Sequence, residues 1–396
     1  MFATWYVAQQ SKSHNWLHDL HRHPETGFEE VRTAAFVAAL LIDFGYDVST
    51  GIGGTGVVGT LHGKGATEEN LGRYIAFRAE LDALPMQEKA GVSYASQDAQ
   101  RFHGCGHDGH MVTALTAAAY LAHNRDFDGS VRFIFQPAEE LLTGARAMIA
   151  DDLFDRFPCD EIYALHNSPD LPAGQVGVPA CAALSSADNI DITIRAQGAH
   201  GSMPHIGQDA VAAAANLIAS VQQAATRVVD ARETGVISFG LLQGGTARNI
   251  LPEMVRIEGT MRTTATEVRD RLAALLRDAA HATELLFGVQ IAIEVTQMVP
   301  VTLNDPACAA AVTASAIRTV GVEHVVENAR SLMASEDFSE LCSRMPGAYF
   351  FIGQDGFAPH HPKFIFDPDI IPVGAAIFAD LAKQRTNKTL NSNQLT

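Results

Sequence analysis

Residues 131–140 read VRFIFQPAEE, and the first six of them decide the fold class. A largely apolar run of this length is typical of a strand buried on both faces of a sheet. Similar runs stand at 74–78 (YIAFR) and 161–166 (EIYALH), and helical patterns such as the one at 111–123 lie between them. The alternation of such strands with helices predicts an α/β domain with a mostly parallel sheet covered on both faces.

A different pattern begins near residue 184. The stretch NIDITIRA at 189–196 alternates polar and apolar residues, as a half-exposed antiparallel strand does. Two helical patterns and three further strands complete the order β-α-β-β-α-β of a ferredoxin-like domain. We therefore predict a discontinuous catalytic domain made of residues 1–183 and 299–396, which is interrupted by an inserted α+β domain at 184–298.

Composition and charge exclude several classes of protein. The chain has 396 residues, and 28 Lys and Arg against 45 Asp and Glu give a net charge of −17. Nucleic acids and anionic membranes need clustered positive charge, so neither is an expected partner. The apolar runs are far shorter than the ~20 residues of a membrane span. The chain has 5 cysteines, an odd number, and its first residues lack a targeting signal, so we expect a cytoplasmic protein.

The densest group of chemically active residues is HGCGHDGH at 103–110. Cys105 and His107 stand two residues apart in a glycine-rich stretch, where the backbone can turn so that both side chains face one ion. Thiolate and imidazole suit zinc and neighbouring transition metals. The sequence favours a metal site here, with a catalytic thiol or a structural loop as the alternatives.

Further candidates follow strands elsewhere in the chain. Glu139 and Glu140 come after the strand at 131–136, and because adjacent side chains point apart, one can bind metal while the other faces substrate. The alternative is a solvated helix N-terminus. His166 ends another apolar run, and His360 stands in an HHP motif. Together these residues form the inventory of a two-metal hydrolase, whose ions lie ~3.5–4 Å apart.

The motifs as a set resemble one known family. They run from LHDLHRHPETGFEE at 17–30 through FRAELDALPMQE, HGCGHDGH, FIFQPAEE, ALHNSP, GAHGSMPH, ARNILPE, GTMRT and SEDF to HHPKF. The chain resembles the dinuclear-metal amidohydrolases that include aminoacylases, hippurate hydrolases and plant auxin-conjugate hydrolases. Carboxypeptidase G and succinyl-diaminopimelate desuccinylase are more distant relatives. The resemblance implies a metallopeptidase-like catalytic domain with an inserted lid or dimerisation domain.

The resemblance also implies two divalent metal ions in each subunit, of which zinc, manganese, cobalt and nickel are the candidates. Asp82 matches an acid that orients one of the metal ligands. The C-terminal motif of the family is His, any residue, Pro, which makes His360 the ligand and His361 the variable position. The residues that match the family's metal ligands are Cys105, His107, Glu140, His166 and His360.

Other matches concern catalysis and substrate binding. Glu139 matches the general base, and His200 resembles the histidine of the inserted domain that stabilises the oxyanion. In relatives this histidine can come from the partner subunit, which implies a homodimer or a higher homo-oligomer. Asn249 and Arg262 match groups that bind the substrate's carboxylate. The chain departs from the family at Glu80, where aspartate is common, and at 141–143, where LLT replaces a glycine-rich stretch.

The implied reaction is metal-dependent hydrolysis of the amide bond of an N-acyl amino acid, which releases a carboxylic acid and a free amino acid. The alternatives are a metallo-dipeptidase or carboxypeptidase of the same fold and a non-catalytic ligand-binding relative. A cysteine hydrolase with Cys105 as nucleophile is a further one. The SEDF motif at 335–338 is interpreted as a helix cap.

Overall fold

The computed structural model describes residues 1–67 and 71–387. The chain divides into two compact units. The first comprises Met1–Ala183, Leu303–Arg330 and Asp337–Thr396, and the second comprises Leu184–Thr302 and Ser331–Glu336.

The elements alternate along the first part of the chain. In chain order the strands are β1 (Asp47–Ile52), β2 (Gly56–His62), β3 (Tyr74–Glu80), β4 (Ser130–Gln136), β5 (Glu161–Ser168), β6 (Val176–Val178), β7 (Ala182–Leu184), β8 (Ala187–Arg195), β9 (Ala199–His200), β10 (Gly235–Gly244), β11 (Ile250–Leu251), β12 (Met254–Thr263), β13 (Gln290–Val299), β14 (Thr302–Leu303), β15 (Val325–Glu327) and β16 (Gly347–Gly353). The helices are α1 (Phe2–Arg22), α2 (Val31–Asp43), α3 (His107–His123), α4 (Gly144–Ala150), α5 (Leu153–Arg156), α6 (Ala210–Val228), α7 (Thr266–Phe287), α8 (Pro306–Val320), α9 (Phe338–Cys342) and α10 (Ile371–Arg385).

The first unit is built around an eight-stranded mixed sheet in the order β1-β2-β4-β3-β5-β16-β6-β15. Its four central strands, β4, β3, β5 and β16, are parallel to their neighbours, and antiparallel pairs flank them. Every residue of β4 and β16 is buried, which explains their continuous apolar runs. The predicted α/β fold with a mostly parallel central sheet is therefore confirmed.

The second unit has a four-stranded antiparallel sheet in the order β10-β12-β8-β13. Ile190, Ile192 and Ile194 alternate with exposed or half-exposed residues along β8 and point into the core. Leu217 of α6 and Leu276 of α7 are buried in the same core. This strand order and the two helices give the ferredoxin-like arrangement that the sequence predicts. Its lid or dimerisation role stays a prediction.

The second unit extends beyond the predicted segment 184–298. It continues to Thr302 and takes in Ser331–Glu336. The later segment belongs to this unit because the backbone N–H of Ser185 donates to the carbonyl oxygens of Leu332 and Ala334, at 3.1 and 2.9 Å. Such a pairing between distant parts of the chain leaves no local pattern in the sequence.

Several elements differ from the sequence-based expectation. Helix α3 starts at His107, four residues before the predicted helix at 111–123, and β5 continues through His166 to Ser168. Asp337 stands at the N-cap position of α9, but its side chain makes no capping hydrogen bond. The interpretation of the SEDF motif as a helix cap is therefore wrong for this side chain. Among the described helices, none combines the length and the apolar character that crossing a membrane requires.

Candidate active site

Polar side chains follow three neighbouring strands of the first unit. Asp82 comes two residues after β3, Glu139 comes three residues after β4, and His166 lies near the end of β5. Strand β3 lies between β4 and β5, and all three run in the same direction. Because the carboxyl ends of parallel strands meet at one edge of a sheet, these three groups share that edge.

Cys105 and His107 flank a glycine that the site requires. Gly106 precedes α3 with a φ of 98°, and a Cβ atom there would lie 2.4 Å from Oδ1 of Asn167. The Nδ1–H of His107 donates to the backbone carbonyl of Asp82 at 2.8 Å. This bond fixes the tautomer and leaves the lone pair of His107 on Nε2, where a metal ion could accept it.

Glu139 and Glu140 lie in a tight turn. Ala138 and Leu142 have φ values of 50° and 55°, and the N–H of Leu142 donates to the carbonyl of Glu139 at 2.7 Å. Glu139 Oε2 and Glu140 Oε1 lie 3.8 and 3.9 Å from Nε2 of His107. The next helix, α4, begins only at Gly144, so the alternative of a solvated helix N-terminus is wrong.

The remaining candidate histidines complete this group. The Nδ1–H of His166 donates to the carbonyl of Asn167 at 2.7 Å, and its Nε2 lies 3.4 Å from Sγ of Cys105. Nε2 of His360 lies 3.3 Å from Oε2 of Glu140. His361, in contrast, stacks its ring on Phe357 with 4.2 Å between the centroids. The geometry therefore brings His360, and not its neighbour, to the paired acids.

The donor atoms in this region fit divalent cations. Nε2 of His107 and Oε1 of Glu140 are both buried and have no hydrogen-bond partner among the described residues. Leaving such atoms unpaired is costly, and a cation between them would satisfy both. The mixture of thiol, imidazole and carboxylate suits zinc and its neighbours. Three overlapping sets each keep their donor atoms within 4.8 Å of one another: Cys105, His107 and His166; Cys105, Glu140 and His360; and His107, Glu139 and Glu140.

The protonation of Cys105 argues against a role as nucleophile. Burial raises the pKa of its thiol well above the ordinary value, and the charges of Glu140 and Glu139 raise it further. Burial lowers the pKa of His166 to about 3, and nearby His110 adds to this effect. The thiol and the imidazole therefore stay neutral beside each other, whereas a nucleophilic cysteine needs a lowered pKa. A bound cation, in contrast, deprotonates a coordinating thiol outright.

The local field is strongly negative. Burial lowers the pKa of His107, but the hydrogen bond to Asp82 and the charges of Glu80, Asp82 and Glu140 outweigh burial and raise it to about 10. A group of carboxylates that holds a proton on a buried imidazole would also attract a divalent cation. Metal binding at this position would release that proton, because imidazole binds metal in its neutral form.

The other three predicted site residues lie in the second unit. His200 is exposed on β9, and its Nδ1 accepts from the N–H and the hydroxyl of Ser202 at 3.2 and 2.8 Å. Asn249 accompanies it, because its carbonyl accepts the N–H of Gly201 at 2.8 Å. Arg262 lies on β12. The structure therefore brings His200 and Asn249 together within this unit.

A family model described as Peptidase family M20/M25/M40 matches residues 76–384. The chain belongs to this family. The matched range contains every site residue described above, in both units of the structure. The family resemblance that the sequence motifs indicate is confirmed.

Two curated relatives and one solved structure give the comparison more detail. Hippurate hydrolase of Campylobacter jejuni is 35% identical over 370 residues, which cover 92% of this M20 chain and 94% of that protein. N-acetylcysteine deacetylase of Bacillus subtilis is 33% identical over 371 residues, which cover 93% and 95%. The Bacillus subtilis YXEP protein, described as a dinuclear metal-binding peptidase of the M20 family, superposes with a TM-score of 0.83 at 30% identity and covers 95% of this chain and 98% of its own. The M20 chain is therefore a hydrolase that acts on amide bonds.

The sequence analysis missed buried polar residues behind the M20 site. Arg78 and Glu80 lie on β3 and His110 lies on α3, and all three are almost fully buried. A signal for them was present, because Arg78, Glu80 and Asp82 recur at every second position of an otherwise apolar strand. Such spacing places charges on one face of a buried strand, where they need partners.

A buried ion pair beside the M20 site predicts a pH-dependent stability. Nδ1 of His21 lies 2.6 Å from Oδ2 of Asp108. Burial lowers the pKa of His21, but Asp108 and Glu88 outweigh it and raise the value to about 9 from an ordinary 6.5. The protonated ring thus stabilises the folded state by about 3 kcal/mol below pH 6.5, and this contribution disappears as the pH rises through about 9.

We expect His21→Gln to unfold at lower urea concentration than the wild type at pH 6, and the gap to narrow by pH 9.5. The measurement is the free energy of unfolding at both pH values with a chelator present, so that metal release does not contribute. His281→Gln on exposed α7 is the matched control and should change little at either pH. A gap of the same size at both pH values would contradict the assignment of a charged His21.

Proposed function

We propose that the chain hydrolyses the amide bond of N-acyl amino acids and releases a carboxylic acid and a free amino acid, as a cytoplasmic homodimer. The observation that carries the proposal is the placement of Glu139 beside a metal-ligand set in which Glu140 faces His107 and His360. Hippurate hydrolase and N-acetylcysteine deacetylase, which resemble the chain over more than nine-tenths of its length, are named for N-acylated amino acids.

In this proposal, two divalent ions act as Lewis acids that lower the pKa of water and polarise the scissile carbonyl. Zinc is favoured by the thiol, while manganese, cobalt and nickel also accept imidazole and carboxylate. Asp82 holds two of the ligands in place, since its carbonyl accepts from His107 and its Oδ2 accepts the backbone N–H of Glu140 at 2.9 Å. The proposed ligands are Cys105, His107, Glu140, His166 and His360.

The proton transfers fall to Glu139. Its carboxylate accepts the proton of the attacking water and then donates it to the nitrogen of the leaving amine. His200 stabilises the oxyanion that develops on the substrate carbonyl. Because the N–H of Ser202 donates to Nδ1 of His200, the neutral ring carries its proton on Nε2 and can donate it in a hydrogen bond.

Substrate recognition falls to the second unit. Arg262 and Asn249 are proposed to bind the α-carboxylate, a task for which the planar fork of arginine is suited. The guanidinium of Arg262 donates to the carbonyl of Met333 at 3.3 Å and to the hydroxyl of Ser335. These bonds restrict its orientation, so that less rotational freedom is lost when substrate binds.

The decisive experiment compares N-acetyl, N-benzoyl and N-succinyl amino acids with their C-terminal amides and with dipeptides, using enzyme of known metal content. We expect turnover of N-acyl amino acids with a free carboxylate. Arg262→Ala should raise KM for these substrates about 10- to 100-fold, because a charge-assisted hydrogen bond contributes about 1.5–3 kcal/mol. KM for the amides should change little.

Arg256→Ala is the matched control, since Arg256 lies on the same strand and pairs with Glu258 in solvent. It should leave KM unchanged. A preference for dipeptides would contradict the proposal in favour of a metallo-dipeptidase. The absence of any turnover would favour a ligand-binding relative. An equal loss on acids and amides would remove Arg262 from carboxylate recognition.

A further inference from the structure

One arginine lies within the central sheet, directly behind the candidate metal site. Arg78 of β3 is 1% exposed, and its guanidinium pairs with Glu80 and with Asp337. Its Nε donates to Oε1 of Gln136 at 2.9 Å, and its charge lies over the ring of Phe338 at 5.8 Å. Burying an arginine between strands costs several kcal/mol unless its donors are paired in good geometry. These contacts supply that pairing in more than one direction.

The first direction leads to a candidate ligand. Oε2 of Glu80 accepts from Nδ1 of His110 at 2.8 Å, and Nε2 of His110 lies 2.8 Å from Oδ1 of Asn167. The carbonyl of Asn167 in turn accepts the Nδ1–H of His166 at 2.7 Å. A continuous chain of buried polar contacts therefore runs from Arg78 to the ring of His166 and determines where its Nε2 points.

The second direction leads to the paired acids. Oδ1 of Asp337 accepts from Arg78 at 3.1 Å and from the side-chain amide of Gln136 at 2.7 Å. Oδ2 of Asp337 accepts the backbone N–H of Ala145 at 2.8 Å. Gln136 and Ala145 bracket the turn at 137–144, which carries Glu139 and Glu140. Asp337 therefore clamps both ends of this turn.

We propose that Arg78, held between Glu80 and Asp337, is a positioning residue that fixes His166 and the Glu139–Glu140 turn relative to each other and so sets the affinity of the site for divalent metal. The inference rests on the proposed function, because it assumes that these groups bind metal. Arginine suits the role, since its rigid planar fork presents donors to two carboxylates at once, whereas a lysine ammonium is a flexible point charge. Removing outer partners of metal ligands weakens metal binding by about 10- to 100-fold.

The test measures the binding of zinc alone by competition with a chelating dye, together with thermal unfolding of the metal-free protein. Arg78→Lys keeps the charge and removes the fork, and we expect its zinc Kd to rise about 10- to 100-fold. Arg132→Lys is the matched control. Arg132 is a mostly buried arginine of the adjacent strand β4 that stacks on Tyr74 at 4.1 Å and bonds Thr60. Its replacement should reduce thermal stability without changing the zinc Kd.

Two isosteric variants keep the test decisive if Arg78→Lys does not fold. Glu80→Gln cuts the connection to His166, and Asp337→Asn cuts the connection to the turn, and each should weaken zinc binding while the protein still unfolds cooperatively. An unchanged zinc Kd in folded variants would overturn the positioning role and leave the proposed function intact. A wild type that binds zinc normally but cleaves no N-acyl amino acid would overturn the proposed function alone.

Discussion

Glu139→Gln should lower kcat by about 10³-fold or more while the metal content stays at the wild-type level. The glutamine side chain has the same shape but cannot accept a proton from water, and general-base catalysis contributes about 10²–10⁴-fold. Glu139 is 6% exposed, and its Oε2 lies 3.8 Å from Nε2 of His107, so the substitution leaves the packing of the turn intact. The measurement is steady-state kinetics on an N-acyl amino acid, with elemental analysis of the same preparation.

Glu140→Gln provides the comparison, because the two residues are adjacent and the substitution is identical. Glu140 faces both His107 and His360, so its loss should lower the metal content, in contrast to the loss of Glu139. Near-normal turnover by Glu139→Gln would remove Glu139 from the role of base. Loss of metal from both variants would mean that the two acids do not divide the tasks as proposed.

Cys105→Ser should weaken zinc binding by about 100-fold or more and abolish most activity at limiting zinc. Serine keeps the size of the side chain, but its hydroxyl stays protonated near neutral pH and is a poor ligand for zinc compared with a thiolate. Sγ of Cys105 belongs both to the set with His107 and His166 and to the set with Glu140 and His360. A single atom is therefore replaced in two groups of donors.

Cys308→Ser is the matched control for this prediction. Cys308 is also buried, on α8, and burial raises the pKa of its thiol to about 12, but it belongs to none of the candidate metal groups. Its replacement should leave zinc binding unchanged. Inhibitors address the same question in the wild type. Activity that survives EDTA but is lost with iodoacetamide would contradict the metal assignment and favour a thiol nucleophile.

The fold is largely predictable because its elements leave local patterns. The apolar runs of β3, β4 and β5 and the alternating run of β8 identify a buried parallel sheet and a half-exposed antiparallel one without knowledge of any contact. Helix α1 was not predicted. Its 21 residues bury only one side, at positions that include Leu17 and Leu20, and many polar residues interrupt the apolar pattern.

The site is predictable only where a motif marks it. Cys105, His107 and the paired acids stand in short motifs whose residue types indicate their chemistry. The ion pair of Arg78 with Asp337 joins residues 259 positions apart, and no periodicity connects them. The position of Asp337 before a short helix suggests a cap, whereas its carboxylate is directed to Gln136 and Ala145. Buried polar networks of this kind form through tertiary structure, and a single sequence does not reveal their partners.

The left-handed backbone at His360 bears on the kinetics of ion exchange. With a φ of 66°, this residue costs about 1–2 kcal/mol relative to ordinary backbone, and the bond from its N–H to the carbonyl of Gly104 at 2.8 Å helps to hold it. Its side chain is 56% exposed, whereas that of Glu140 is 12% exposed. An ion would therefore arrive and depart past His360, which makes this residue the one that governs how fast the site loads from a dilute metal pool and how fast a chelator empties it.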